Sequence, residues 1–283
     1  MNILSYLSKD YFKTYIYLYV FLMPWNYYNF QMGALTGILF IWWLIIGKQR
    51  GYFNKLRQIF NSKPLLILII YLLFCYLSLL WTNNYELGIN SLKFYKYYWF
   101  LIPVLFTSLD RNDIKVSIYL LVFSFGLNAF LSFLIYSGFV SMEGSSKHNP
   151  KGLLAYSIAS PYFAIGTFIS LFIVFFEKVK SLKFFYFIIF ILCFIALVIN
   201  NGRSAQLAFV LTLFVLMVIY RKVLLNKLLY VSIFLISCVA FISFTDFVKL
   251  VRFTSGVNQI IIILNNPTDY SNYKGSWGMR TYL

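Results

Sequence analysis

Arg203 sits in the stretch N-N-G-R-S-A-Q-L, Asn200 to Leu207, between the apolar runs Phe184–Ile199 and Ala208–Tyr220. An arginine beside hydrocarbon costs free energy unless it snorkels to water or meets an anion. One reading makes Arg203 a headgroup-level anchor for the following helix. The other gives it an anionic substrate group at the membrane surface, a phosphate being the best match for its planar fork of donors. Gly202 before it permits close backbone approach. Ser204 after it can cap the next helix, whose first amides favour an anion at the same spot.

Other cations join it if the chain crosses a membrane as its charges predict. Lys93, Lys96, Lys147, His148, Lys151, Lys249, Arg252 and Arg280 then share one face with Arg203, beside few acidic residues (Glu86, Glu143, Asp246, Asp269). Translocated loops are ordinarily poor in Lys and Arg, so a basic outer face calls for an anionic partner. Lys93, Lys96, Lys147 and Lys151 are candidate phosphate contacts; Lys93 and Lys96, one helical turn apart, are equally suited to snorkelling. His148 is the one side chain that titrates near neutrality. It reads either as a general base toward a sugar hydroxyl or as an exposed loop histidine. No paired carboxylates suggest glycosidase chemistry. A single His, and three cysteines inside apolar runs (Cys75, Cys193, Cys238), suggest neither a metal site nor a disulfide framework.

These residues require a membrane scaffold. Of 283 residues, 61% are hydrophobic and only 11% charged, where a soluble domain has about 25% charged. Mean hydropathy is +0.78. Tyr and Trp recur at the ends of apolar runs, as an interfacial belt requires. The expected fold is all-α, a polytopic bundle of about nine transmembrane helices over 1–244, followed by the start of an outer loop over 245–283. The spans are expected at about 15–30, 32–47, 64–81, 92–109, 116–140, 152–176, 184–199, 208–220 and 228–244. The first has no small-residue cleavage site and reads as a retained span. Pro161 predicts a kink in the sixth span, with Ser160 helping to satisfy the freed carbonyls. With the N-terminus in the cytoplasm, fifteen of the 24 Lys and Arg fall on the inner side, as the positive-inside rule asks. The net charge of +16 is then a matter of topology and of anionic membrane lipids, and nucleic acid is not implied. A transporter of an anionic lipid-linked solute should show mid-span charges and repeat symmetry; neither is present.

Three segments resemble a known family. N-N-G-R-S-A-Q-L-A-F, from Asn200, resembles the Ser-Arg-containing motif of the O-antigen ligase and polymerase family, with Gly202 where the family usually has serine. H-N-P-K-G-L-L-A-Y-S-I-A-S-P-Y, from His148, is similar to that family's N-P-N segment entering a span. S-W-G-M-R-T-Y-L, Ser276–Leu283, looks like the start of its large outer loop. The resemblance implies transfer of a glycan from undecaprenyl diphosphate to lipid A–core oligosaccharide at the periplasmic face of the bacterial inner membrane, with no metal or nucleotide cofactor. A sister polymerase would use a second lipid-linked glycan as acceptor. Arg203 and Arg280 would match the family's functional arginines, stabilising the diphosphate leaving group. The family's histidine base lies later in the loop, so His148 is not carried over as that base. That base and the family's further spans would follow Leu283, and the expectation is a chain truncated within the loop.

Overall fold

The computed structural model describes residues 10–25, 29–93, 95–147, 149–154, 156–200, 202–219, 261, 262 and 265. The chain forms two units, Met1–Gln206 and Leu207–Leu283. Among the described residues there is no β-strand. The ninth expected span and the outer-loop segment lie almost wholly outside those residues.

Helix α1, Tyr11–Leu22, starts where the Asp10 carboxylate accepts the amides of Phe12 at 3.0 Å and Lys13 at 3.3 Å. It ends just before Pro24, which cannot continue the ladder. α2, Asn29–Gly47, is followed by a turn at Gly51, then short α3, Tyr52–Lys55, and a 3₁₀ segment, Leu56–Asn61. α4, Lys63–Leu77, has Pro64 in its first turn and runs on into a 3₁₀ turn, Ser78–Trp81. α5 is Tyr85–Leu92 and α6 is Lys96–Ser108, with Pro103 inside it.

The longest helices follow. α7, Arg111–Ser137, opens on a reciprocal capping box between Asp110 and Asp113, and closes on Gly138 in the left-handed region. Its 27 residues give about 40 Å, more than the roughly 30 Å of a hydrocarbon core. α8 is Tyr156–Phe176, α9 is Lys180–Ile199 and α10 is Arg203–Ile219. Four segments are long and apolar enough to cross a membrane: Lys63–Trp81, Arg111–Ser137, Ile158–Phe176 and Lys180–Ile199. The bent pair Met32–Gly47 and Tyr52–Asn61 makes a fifth if it is counted as one span. α1 and α6, with 12 and 13 residues, are shorter than the ~20 that a perpendicular span needs.

Within the first unit, α7, α8 and α9 pack against one another at glycines. A Cβ on Gly126 would lie 2.9 Å from Ile189, and one on Gly166 would lie 3.0 Å from Phe125 and 3.1 Å from Cys193. Small residues of this kind let membrane helices approach closely. α1 lies along α7. Its other face builds an aromatic-rich core from Phe12, Ile16 and Tyr19 with Leu39, Trp43, Tyr52 and Val104. Polar side chains cross-link the helices: Trp43 Nε1 donates to Thr107 Oγ1 at 2.9 Å, Trp25 Nε1 to Ser124 Oγ at 2.6 Å, and Tyr186 OH to the Tyr119 carbonyl at 3.0 Å.

One end of this unit is stitched by ion pairs. Asp113, fully buried, receives Lys13 Nζ at 2.6 Å and Tyr17 OH at 2.7 Å. Lys13 also meets Asp110 at 3.2 Å, Lys55 approaches Asp110 at 3.9 Å, and Arg50 pairs with Asp10. Across the bundle, Glu177 takes Lys115 Nζ at 3.0 Å, the Tyr119 hydroxyl, and the amides of Lys178 and Val179. Apart from Lys55 in α3, they lie towards the starts of α1, α7 and α9 or near the ends of α2, α6 and α8, hence at the same end of an alternating bundle.

The Tyr119 hydroxyl, followed by the Lys115 ammonium and the two amides, outweighs burial and holds the Glu177 carboxyl down at about 2, from an ordinary 4.5. A lowered folded-state pKa means that the stabilisation is complete above about 4.5 and is lost as pH falls from there towards 2. Detergent-solubilised protein is therefore expected to lose unfolding-midpoint temperature across that window. The Glu177→Gln variant should show a flatter acid limb. An unchanged acid slope in the variant would remove Glu177 from the account.

Candidate functional site

The opposite end of the first unit holds the 138–155 connection and the α9–α10 hairpin. α7 reaches this end with Ser124, Asn128 and Ser132 on one face, at i, i+4 and i+8; all three are buried. Such a stripe on a membrane helix faces protein rather than lipid.

The connection does not simply stand off the bundle. Ser146 and Asn149 close a tight turn, exchanging backbone bonds of 3.3 and 2.9 Å, with Lys147 at its tip. The chain then turns inward. Ser132 Oγ donates to the Pro150 carbonyl, and Pro150 and Leu154 are buried. Gly152 has φ +63°, and a Cβ there would come within 3.1 Å of the Asn128 carbonyl. Asn128 lies nine residues before the end of α7, so non-helical backbone meets α7 roughly 13 Å below its end. Irregular backbone at such depth is tolerated only inside protein or against a polar cavity. The sixth span, expected to start at Gly152, starts as helix at Tyr156. The apolar run was real, but its first residues are buried coil.

The hairpin is braced from three sides. Asn200 ends α9, is fully buried, and accepts Ser160 Oγ on its Oδ1 at 2.6 Å. Gln206 Nε2 donates to the carbonyls of Asn200 at 2.8 Å, Leu197 at 3.0 Å and Val198 at 3.3 Å, covering acceptors that a helix end leaves open. Gly202 lies so close to Ser160 that a Cβ would overlap that residue's Cβ and Oγ. Its missing side chain thus serves the approach of α8.

Two expectations are corrected here. Ser204 is not the cap of α10: the helix starts at Arg203, and Gly202 holds the cap position, its carbonyl receiving the amides of Ala205 and Gln206, both at 3.1 Å. The Ser160 hydroxyl does not turn to a carbonyl freed by Pro161 but donates to Asn200.

Arg203 is the first residue of α10. That position is at the positive end of the helix dipole, where a cation is unfavourable without an anion nearby. Lys147 is exposed and folds across Gly138; half-buried Lys151 folds across Gly144. Lys93 and Lys96 stand elsewhere. Exposed Lys93 donates to Asn90 at 2.5 Å. Lys96 opens α6, lies 5.3 Å from the Tyr97 ring centre, and lines a groove of about 500 Å³ with Gly33, Ala34, Gly37, Tyr97 and Phe100. Of the four candidate lysines, Lys96 alone lines that groove. His148 and Arg280 lie outside the described residues.

Asn128 and Ser132 stand outside the sequence expectations, and Asn200 and Gln206 enter them only as members of the 200–207 stretch, with no role of their own. The i, i+4, i+8 spacing on α7 was the available signal. Three amide atoms at this end, Asn128 Oδ1, Asn149 Oδ1 and Asn200 Nδ2, are buried with no hydrogen-bond partner among the described residues. Each such group costs about 1–3 kcal/mol; the Ser108 and Ser117 hydroxyls, at the ion-paired end, are likewise buried with no partner among the described residues. Among the described residues, no group of His, Cys, Asp and Glu is suited to a metal.

No protein-family model, curated protein or solved structure matches the chain.

Proposed function

We propose that this chain is a membrane glycan transferase of the O-antigen ligase type. It would move a glycan from undecaprenyl diphosphate to a lipid A–core acceptor at the periplasmic face of the bacterial inner membrane. The observation that carries the reading is Arg203 at the first position of α10, on a hairpin braced by Ser160, Asn200 and Gln206. A diphosphate there meets both the guanidinium and the first-turn amides, whose dipole otherwise opposes the cation. As the glycosyl bond breaks, charge grows on the diphosphate, and donors fixed beforehand stabilise it most at that moment. Lys147 and Lys151, at the same end of the bundle, add point charges, and the inward-turning 149–154 segment supplies polar atoms for a glycan. Arg280 would join from the outer loop. Lys96, at the α2–α6 groove, fits a supporting role towards lipid-linked phosphate, with Lys93 one helical turn earlier in the chain.

The reading includes nine spans with the N-terminus in the cytoplasm. Membranes carrying the full-length protein, supplied with radiolabelled glycan on undecaprenyl diphosphate and with lipid A–core, are expected to yield labelled lipopolysaccharide. Label appearing instead on longer lipid-linked glycans identifies the polymerase, and no transfer of either kind removes the reading. In the same membranes, an impermeant thiol reagent from the outer face should mark Ser145→Cys and Asn266→Cys but not Asn54→Cys. The reverse labelling inverts the topology.

A further inference from the structure

At the ion-paired end, α2 gives way at Gly51, which has φ +69°, to the Tyr52–Asn61 segment, set at 102° to Met32–Gly47. A helix that leaves a membrane-crossing helix at about a right angle runs along the membrane surface. The residues of the segment divide accordingly. Tyr52 and Ile59 are each 6% exposed and face the bundle, Tyr52 against Phe12. Asn54, Arg57, Gln58, Phe60 and Asn61 are exposed, Phe60 at 61%.

The cations of this stretch fall into two classes. Arg50 and Lys55 are engaged by Asp10 and Asp110. Lys48, Arg57 and Lys63 are exposed and, among the described residues, form no ion pair. Arg57 and Lys63 flank the outward Phe60. An aromatic ring between cations on an in-plane helix suits the boundary between acyl chains and phosphates.

We propose that the 48–63 segment is a foot that binds anionic phospholipid headgroups in the leaflet at the ion-paired end. Lys48, Arg57 and Lys63 hold the phosphates and Phe60 enters the acyl region. This surface lies at the opposite end of the first unit from the hairpin and stands independently of the transferase reading. Each surface cation is worth about fivefold in affinity for an anionic membrane, so three together give on the order of a hundredfold.

The test uses the full chain in neutral detergent and tail-labelled phosphatidylglycerol, with binding read by fluorescence anisotropy. Unlabelled phosphatidylglycerol should displace the probe; phosphatidylcholine and inorganic phosphate should not. The triple variant Lys48→Gln, Arg57→Gln, Lys63→Gln should bind on the order of a hundredfold more weakly. The charge-keeping triple Lys48→Arg, Arg57→Lys, Lys63→Arg should bind like the parent. If the glutamine triple fails to fold, each single variant should still cost about fivefold. Lys178→Gln, Lys180→Gln, Lys183→Gln removes three cations from the α8–α9 turn at the same end, and should cost far less, because these lysines do not flank the outward Phe60. Equal losses in the two glutamine triples would reduce the foot to a share in a general positive field. Displacement by inorganic phosphate would make it a free-anion site. Either outcome overturns the proposal.

Discussion

Arg203→Ala is expected to reduce glycan transfer by about two to three orders of magnitude, the cost of removing one fixed donor from a site of developing negative charge. The variant should insert into the membrane as the parent does. Position 203 is the first residue of α10, where helix propensity counts little and alanine is well tolerated. Removing a cation from the positive end of a helix dipole even relieves an unfavourable interaction. Arg203→Lys keeps the charge and loses the paired donors, so transfer should fall by about tenfold or more. A purely anchoring arginine behaves otherwise: lysine then replaces it fully, and alanine alters insertion before it alters chemistry. Transfer at the parental rate by Arg203→Ala would return the residue to that role.

Much of this architecture is legible in the sequence, and the exceptions have physical causes. The apolar runs behind α4, α7, α8 and α9 are recovered because a membrane span needs little beyond length and low charge. The break at 200–202 is recovered because Asn-Asn-Gly interrupts an apolar stretch where nothing apolar can continue. The fifth span, expected from 116, starts as helix at Arg111, so the charged residues before it are largely the first turn of α7. The signal was there in D-R-N-D: an Asp three residues after an Asp closes the capping box, and charge alone does not end a helix. The inward course of 149–154 was hidden, because G-L-L-A reads equally well as the start of a span or as buried coil. Its glycine at positive φ, set against Asn128, depends on a helix 24 positions earlier in the chain. The basic outer face drew in only Glu86, Glu143, Asp246 and Asp269, and the other four of the eight acidic residues, Asp10, Asp110, Asp113 and Glu177, prove to be partners in the ion-paired end.

Asp113→Ala should show how much that end matters to stability. The carboxylate is 0% exposed. Its Oδ2 takes Lys13 Nζ at 2.6 Å and the Asp110 amide at 2.9 Å, while Oδ1 takes Tyr17 OH at 2.7 Å. Removing one partner of a buried pair costs about 3–5 kcal/mol, because the other is left charged and poorly solvated. Lys13 keeps 21% side-chain exposure and still reaches Asp110, so the lower end, about 3 kcal/mol, is expected. Buried Tyr17 loses its acceptor as well, and the first turn of α7 loses half of its capping box. Asp113→Asn should lose less, since its amide oxygen can still accept from Lys13 and from the Asp110 amide while its NH2 faces the Tyr17 hydroxyl, which can accept; what it loses is the negative charge opposite Lys13. Lys13→Leu, Tyr17→Phe and Asp113→Leu together should recover most of the loss, because no buried charge is then stranded and the Asp110 amide, which loses its acceptor, belongs to an exposed residue. Unfolding by SDS titration in mixed micelles measures all three. If Asp113→Ala stays within about 0.5 kcal/mol of the parent, α1 is not held to α7 by this carboxylate. A triple variant as unstable as Asp113→Ala would mean that the charge itself, rather than its stranded partners, holds the helices together.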